Sequence, residues 1–234
     1  MLFRSKYANN AFLATKISFI NTLANICNKI PGGDIEIIAK AIGYDPRIGA
    51  LFLKAGPGYG GSCLPKDLST FLNFCRSIGY NPVLLESTQI ANKKQALVVV
   101  RMIENRVKDL KNRLITVLGL SFKEGTDDVR DAVSIKIVEM LLKKGAKVNV
   151  HDPIALENFK RIFKNKVCYC ESAKECIKNA ECCVILTGWD EYKLLTPEDF
   201  KKHMKYARVV DTRRIFDPAA MSSIDYLAIG YGKL

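Results

Sequence analysis

Short apolar runs that alternate with helical patterns fill the second half of the chain and restrict its fold more than any other feature. The first run extends from Leu114 to Leu120, and continuous runs of this kind are typical of strands buried in a parallel sheet. An amphipathic helical pattern follows, with its apolar stripe between Ile135 and Leu142. Further strand candidates are residues 148–151, 167–170, 182–187, 208–211 and 226–229. This alternation predicts a doubly wound α/β domain.

A stretch without glycine or proline runs from about Val83 to Lys111 and predicts one long helix. At the rise of an α-helix such a segment reaches about 40 Å, which is more than the core of a small domain requires. We therefore expect this helix to join two domains or to pack against a partner chain. The sequence predicts an all-helical central dimerisation domain at residues 1–111 and a Rossmann-like, doubly wound domain at residues 112–234.

The first part of the chain reads as helices separated by glycine-rich loops. Apolar residues recur three and four apart between Ser5 and Asn28, and Asp34 can cap a second helix that ends near Gly43. A third helix is predicted at residues 64–80, directly after the glycine-rich loop at residues 55–62.

Composition excludes several classes of protein. No apolar run reaches the roughly 18 to 20 residues of a membrane span, and the first residues lack a signal-peptide pattern, so no membrane association and a cytoplasmic location are expected. The eight cysteines form no CxxC pair, and only two histidines accompany them, so no metal site is predicted.

The net charge of +12 is compatible with nucleic acid or with an anionic small molecule. The lysines are scattered, and no basic block or aromatic–basic alternation stands out. The pattern disfavours nucleic acid and favours a phosphate-bearing small substrate.

The segment Gly56-Pro-Gly-Tyr-Gly-Gly-Ser-Cys-Leu-Pro-Lys-Asp67 is the strongest chemical signal. Glycines allow the backbone to approach a ligand closely, and Cys63 is followed by Lys66 and by a predicted helix N-terminus, both of which favour a thiolate. This predicts a nucleophilic Cys63. The alternative is a phosphate-gripping loop in which Cys63 is incidental.

The same segment resembles the active-site motif G-x-G-x-G-G-x-C-x-P-K-D of UDP-glucose dehydrogenases, in the UDP-glucose/GDP-mannose dehydrogenase family. Four other segments resemble blocks of that family in the same order: residues 6–14, 45–49, 119–130 and 211–214. In GDP-mannose dehydrogenases the first helix and the Asp45-Pro-Arg-Ile-Gly block differ, which favours UDP-glucose as the substrate; GDP-mannose stays an alternative.

The resemblance implies roles for residues throughout the chain. It implies that Cys63 is the nucleophile and that Asp67 orients water. It also implies that Lys6 and Asn10 face the substrate oxygen on which negative charge develops. The substrate-binding positions that match are Arg47, Phe52, Leu53, Lys54, Gly60, Phe122, Lys123 and Arg213. Lys66 and Arg130 match cofactor contacts. Arg47 resembles an arginine that reaches the neighbouring subunit, which implies a homodimer formed through the long helix.

The implied reaction oxidises UDP-glucose twice with NAD, through a thioester on Cys63 that water then hydrolyses to UDP-glucuronate. Relatives place a dinucleotide-binding domain before the first helix of this chain, whereas the turn after the Leu114 run lacks G-x-G-x-x-G. We therefore expect the NAD-binding domain to be missing and the 234 residues alone to be inactive. Either the sequence is a fragment, truncated or separately encoded, or a separate chain supplies the NAD-binding domain. The alternatives are a sugar-nucleotide-binding module without catalysis and a basic protein that binds nucleic acid.

Overall fold

The computed structural model describes residues 2–232, with side chains from Ser5 onwards. The chain divides into two compact units. Unit 1 contains the residues up to Gln95 together with the segment from Gly230, and unit 2 contains Ala96–Ile229. No helix within residues 2–232 is both long enough and apolar enough to cross a membrane.

Unit 1 is built from helices. Its elements are α1 (Leu2–Cys27), α2 (Ile35–Gly43), α3 (Leu64–Ser77) and the first part of α4 (Val83–Val107). The predicted Asp34 cap is present, because its carboxylate accepts a hydrogen bond from the Glu36 N–H at 2.9 Å. A proline lies in the first turn of α3. A small apolar cluster formed by Ala11, Ala14, Tyr59, Leu68 and Leu72 packs α1, the glycine-rich loop and α3 together.

Helix α4 is shorter than the sequence predicted. It ends at Val107 instead of Lys111, because Lys108 takes a left-handed backbone conformation with φ of 65°. From Ala96 onwards most of its apolar residues, including Val100 and Ile103, are buried in the core of unit 2. The apolar face of the second half of the helix therefore packs within unit 2 and is not available to a partner chain.

Unit 2 contains a six-stranded parallel sheet with the strand order β3-β2-β1-β4-β5-β6. The strands are β1 (Leu114–Leu118), β2 (Lys147–His151), β3 (Cys168–Tyr169), β4 (Cys182–Ile185), β5 (Arg208–Asp211) and β6 (Asp225–Ala228). The helices are α5 (Val133–Lys143), α6 (Leu156–Phe163), α7 (Ala173–Cys176) and α8 (Pro197–His203). The predicted mixed α/β class and doubly wound sheet are confirmed, and the strand order reverses between β1 and β4.

Candidate functional site

Cys63 lies where the glycine-rich loop turns into α3. It occupies the N-cap position, its side chain is exposed, and its carbonyl accepts a hydrogen bond of 2.8 Å from the Asp67 N–H in the first helical turn. Its Sγ lies 3.9 Å from Ser62 Oγ. The N-terminus of a helix is a favourable position for the negative charge of a thiolate.

Asp67, one helical turn after Cys63, has a completely buried side chain that gathers three predicted site residues. Asn10 Nδ2 donates to Asp67 Oδ2 at 2.6 Å, and Lys6 Nζ lies 3.7 Å from the same oxygen. Lys66 Nζ lies 3.4 Å from Oδ1, yet Oδ1 accepts no hydrogen bond, because this ion pair lacks hydrogen-bond geometry. A buried carboxylate oxygen without a donor is costly unless a ligand or water supplies one. Oδ1 is therefore a buried acceptor without a hydrogen-bond donor.

The other thiols differ from Cys63 in their surroundings. Only Cys63 and Cys168 are exposed, and the remaining six are buried. Burial and the neighbouring Cys170 raise the pKa of the Cys168 thiol, and burial raises the pKa of Cys182 to about 12. Thiolate formation is therefore disfavoured at Cys168 and Cys182, whereas the side-chain hydrogen bond with Cys176 lowers the pKa of the buried Cys170.

The loop before Cys63 carries further predicted contact residues of unit 1. Phe52 has a left-handed backbone (φ 65°) and a partly exposed ring, Lys54 is exposed, and Gly60 is half-buried. Leu53, by contrast, is buried among neighbours. Its side chain supports the loop, so any contact that it makes with a ligand would come from its backbone.

Two predicted arginines pair with aspartates close to them in sequence. Arg47 binds Asp45 through both Nε and Nη2, with the shortest distance 2.6 Å, and Arg130 binds Asp128 in the same way at 2.7 Å. These guanidinium groups hold the pKa of Asp45 and of Asp128 below their usual range. Both arginines are exposed, so solvent and salt weaken these pairs, and either guanidinium can exchange its aspartate for an anionic ligand.

In unit 2 the remaining predicted residues lie at the carboxyl edge of the sheet. Phe122 and Lys123 follow β1, with Lys123 Nζ 5.7 Å from the Phe122 ring centroid, and Arg213 follows β5. Arg213 Nε donates to the Leu186 carbonyl at 2.6 Å, directly after β4. Burial lowers the pKa of Arg213 to about 10, although Glu124 and Asp211 oppose the shift. Ligands of open parallel sheets bind at this edge, where the strand order reverses.

The segments that follow β1 and β4 lie in close contact at Gly119. Gly119 has φ of 89°, and a Cβ atom at this position would collide with the backbone of Thr187, after β4. Only glycine combines this backbone conformation with this contact. The crevice at the switch point is therefore shaped by Gly119.

Asp152, which belongs to none of the sequence motifs, holds the loops at this edge by hydrogen bonds. Its buried carboxylate accepts hydrogen bonds from the Leu120 and Ser121 N–H groups at 2.7 and 3.1 Å and from Trp189 Nε1 at 3.1 Å. A dinucleotide site would use an acidic residue after the second strand to bind a ribose, but Asp152 is turned inward. With no strand-associated G-x-G-x-x-G among the described residues, unit 2 does not fit the adenosine and pyrophosphate of NAD.

The chain is thus a two-unit α/β protein: a helical unit carries an exposed cysteine, and the second unit has a parallel sheet with the strand order of nucleotide-binding folds. Comparison with known families identifies which one. Residues 4–94 match the central domain of the UDP-glucose/GDP-mannose dehydrogenase family, and residues 116–218 match its UDP binding domain. The chain belongs to the UDP-glucose/GDP-mannose dehydrogenase family.

Individual relatives agree with this assignment. The chain is 40% identical over 228 residues to UDP-glucose 6-dehydrogenase TuaD of Bacillus subtilis, covering 97% of this chain and 49% of the relative. It is 43% identical over 229 residues to the UDP-glucose 6-dehydrogenase of Rickettsia felis, covering 96% and 51%. A solved UDP-glucose dehydrogenase from Pyrobaculum islandicum superposes with a TM-score of 0.89 at 33% identity, covering 97% and 50%. The chain thus spans about half the length of the curated relatives that it matches.

Proposed function

We propose that this chain supplies the catalytic-cysteine and substrate-binding part of a UDP-glucose 6-dehydrogenase, which converts UDP-glucose to UDP-glucuronate with two NAD and water. The observation that carries the proposal is the buried Asp67 carboxylate, which collects Asn10, Lys6 and Lys66 in the helical turn that begins at the exposed Cys63. The names of the matched relatives support UDP-glucose as the substrate. The 22% identity to a solved GDP-mannose dehydrogenase shows the fold alone.

Cys63 is assigned the covalent step. Its Sγ adds to the carbonyl carbon of the C6 aldehyde, a C–S bond forms, the C=O π bond breaks, and the thiol proton ends on the oxygen. A cationic or amide donor close by would stabilise the charge on that oxygen, which is the role assigned to Lys6 and Asn10. NAD, when bound, would accept the hydrides, and Lys66 and Arg130 are proposed to contact it.

Asp67 is assigned the activation of the water molecule that hydrolyses the thioester. Its Oδ1 is buried and lacks a hydrogen-bond donor, so it can accept a proton from a water molecule that attacks a thioester on Cys63. The Asn10 hydrogen bond to Oδ2 fixes the orientation of the carboxylate while this happens. The attack breaks the C–S bond, and the proton returns to the thiolate.

UDP recognition is assigned to the exposed or half-buried basic residues Lys54, Lys123 and Arg213, together with Phe52, Leu53, Gly60 and Phe122. Guanidinium and ammonium groups suit diphosphate oxygens. We also propose a homodimer in which Arg47 reaches the partner's site, and a dinucleotide-binding domain supplied from outside these 234 residues, for instance by a separate chain.

The covalent step can be tested without NAD. UDP-glucose 6-aldehyde should protect Cys63 from iodoacetamide at lower concentration than UDP-glucose does, because it forms a reversible thiohemiacetal. Cys63→Ser supplies the control: it should keep its affinity for UDP-glucose and lose about tenfold in affinity for the aldehyde. Equal protection by the two compounds would rule out covalent addition, and the absence of protection by either would remove the substrate assignment.

A further inference from the structure

Two helices of unit 1 hold the glycine-rich loop by side-chain amides. Asn92 of α4 makes a two-way contact with Tyr59: the Tyr59 N–H donates to Oδ1 at 2.9 Å, and Nδ2 donates to the Tyr59 carbonyl at 3.0 Å. Gln95, one turn further along, donates to the Gly56 carbonyl at 2.9 Å. From α1, Asn21 accepts the Gly56 N–H at 2.8 Å.

A fourth amide extends this network. The Gly56 carbonyl can only accept, so Gln95 must present its NH₂ group to it, and Gln95 Oε1 then accepts a hydrogen bond from Asn25 Nδ2 at 3.0 Å. Each amide orientation is thus determined by a backbone partner or by another amide. We call Asn21, Asn25, Asn92 and Gln95 the amide clamp.

The clamped backbone leaves no room for a side chain at Gly58, which lies between its two attachment points. Gly58 has φ of 113°, and a Cβ atom there would lie 2.9 Å from Asn92 Oδ1. The Tyr59 ring is buried in the apolar cluster with Ala11 and Leu68. The loop is therefore fixed at Gly56 and at Tyr59 by both polar and apolar contacts.

Fixing these points sets the position of the residues on either side of them. Lys54 precedes the clamped segment, and Gly60 and Cys63 follow it; all three are at least partly accessible. Helix α1 carries both Asn10, which holds Asp67, and Asn21, which holds Gly56. Because one helix contacts both, it fixes the position of the loop relative to the Asp67 carboxylate.

We propose that Asn92 is a positioning residue, which holds the glycine-rich loop in the conformation that binds the nucleotide sugar. The inference rests on the proposed function, because it needs the loop to contact that substrate. The amide clamp satisfies buried backbone groups, as any buried loop requires. Beyond this, it places the loop relative to Cys63 without touching the thiol or the carboxylate.

If Asn92 positions the loop, its replacement should weaken the binding of UDP-glucose but leave the reactivity of the Cys63 thiol unchanged. Asn92→Asp keeps the acceptor for the Tyr59 N–H but turns an oxygen towards the Tyr59 carbonyl, and Asn92→Ala removes both hydrogen bonds without adding charge. In each variant the UDP-glucose concentration that halves Cys63 alkylation by iodoacetamide should rise about tenfold. The alkylation rate without ligand should stay within about twofold of the parent rate, because the α3 N-terminus is unchanged.

Thr88→Ala is the matched control. Thr88 is buried on α4 and bonds Thr15 of α1 at 3.1 Å, so its loss loosens the same helix pair without touching the loop. Thermal unfolding confirms that each variant folds. Parent-like protection in both Asn92 variants overturns the proposal, as does an equal loss of protection in Thr88→Ala. If UDP-glucose fails to protect even the parent chain, the proposed function is wrong, which is a separate result.

Discussion

At the residue scale, the candidate site depends on two groups with opposite exposure. Cys63 is exposed at the start of α3, whereas the Asp67 side chain, one turn later, is 0% exposed and held by Asn10. A nucleophile must be reached by its substrate, while a carboxylate that directs water benefits from a fixed orientation. The motif therefore places an exposed thiol and a buried carboxylate within one helical turn.

The difference between Cys63 and the other thiols gives a first prediction. Cys63 should be the fastest of the eight to react with iodoacetamide at pH 7.5, about tenfold ahead of the next, because a thiol reacts as its thiolate. Cys168 is the competitor, and burial raises its pKa. Peptide mapping of partly alkylated protein measures both rates. Faster labelling of Cys168 would show that Cys63 is not the nucleophile.

A second prediction concerns His151 at the end of β2. Burial lowers the pKa of this imidazole, although the carboxylates of Glu191, Asp152 and Glu175 oppose the shift. Its Nδ1 lies 3.0 Å from Tyr192 Oη. The unfolded chain therefore takes up the proton first as pH falls below about 6.5, so the free energy of unfolding decreases over that window.

His151→Gln removes this titration while keeping a polar side chain at the position. Its free energy of unfolding should be lower than that of the parent at pH 8 but should decline less between pH 7 and pH 5. Urea unfolding at several pH values measures both slopes. A parallel decline in the two proteins would show that His151 does not titrate differently on folding.

At the element scale, hydrophobic pattern and glycine spacing predicted most of the fold. All six strands of unit 2 were predicted, and β5 has the predicted bounds, Arg208–Asp211. Apolar runs report burial directly, so they locate strands well. The end of α4 was missed because Lys108 adopts a left-handed conformation that lysine seldom takes.

The candidate site was predictable only in part. Cys63, Asp67, Lys6 and Asn10 follow from the motif and the resemblance, and the structure brings the last three together. Asn92, Gln95 and Asp152 gave no signal, because an amide or carboxylate that holds backbone groups is recognised only when its partners, distant in sequence, are known.

The exposed half of α4 supports a third prediction. Leu84 and Ile90 are 68% and 49% exposed, whereas Val100, Ile103 and Val107, further along the same helix, are buried within unit 2. If the proposed homodimer forms through α4, it must use the part before Gln95. Burying exposed apolar side chains of this size is favourable by about 1.5 to 3 kcal/mol each.

Leu84→Glu with Ile90→Glu should therefore convert the dimer into a 26.2 kDa monomer at micromolar concentration, as measured by light scattering. Ile162→Glu, at an exposed apolar position of unit 2, is the matched control and should leave the mass unchanged. A monomeric parent chain would remove both the α4 interface and the proposed role of Arg47.

At the scale of the whole molecule, the two units carry different parts of the proposed reaction. Unit 1 carries the thiol and the carboxylate, and unit 2 presents Lys123 and Arg213 at the carboxyl edge of its sheet. Unit 2 has the strand order of dinucleotide-binding folds, but Asp152 faces inward and the turn after β1 lacks the glycine fingerprint. The fold is thus shared with NAD-binding domains, while the site is not.

The last prediction follows from this separation: the 234-residue polypeptide should bind UDP and UDP-glucose, yet neither bind NAD tightly nor reduce it. Calorimetric titration with each ligand, followed by an absorbance assay for NADH, measures these properties. Lys123→Ala should weaken UDP binding about tenfold through loss of a phosphate contact, whereas Lys143→Ala, at the exposed end of α5, should not. Saturable NAD binding with turnover would mean that the crevice at Gly119 accepts a dinucleotide despite the inward Asp152 carboxylate.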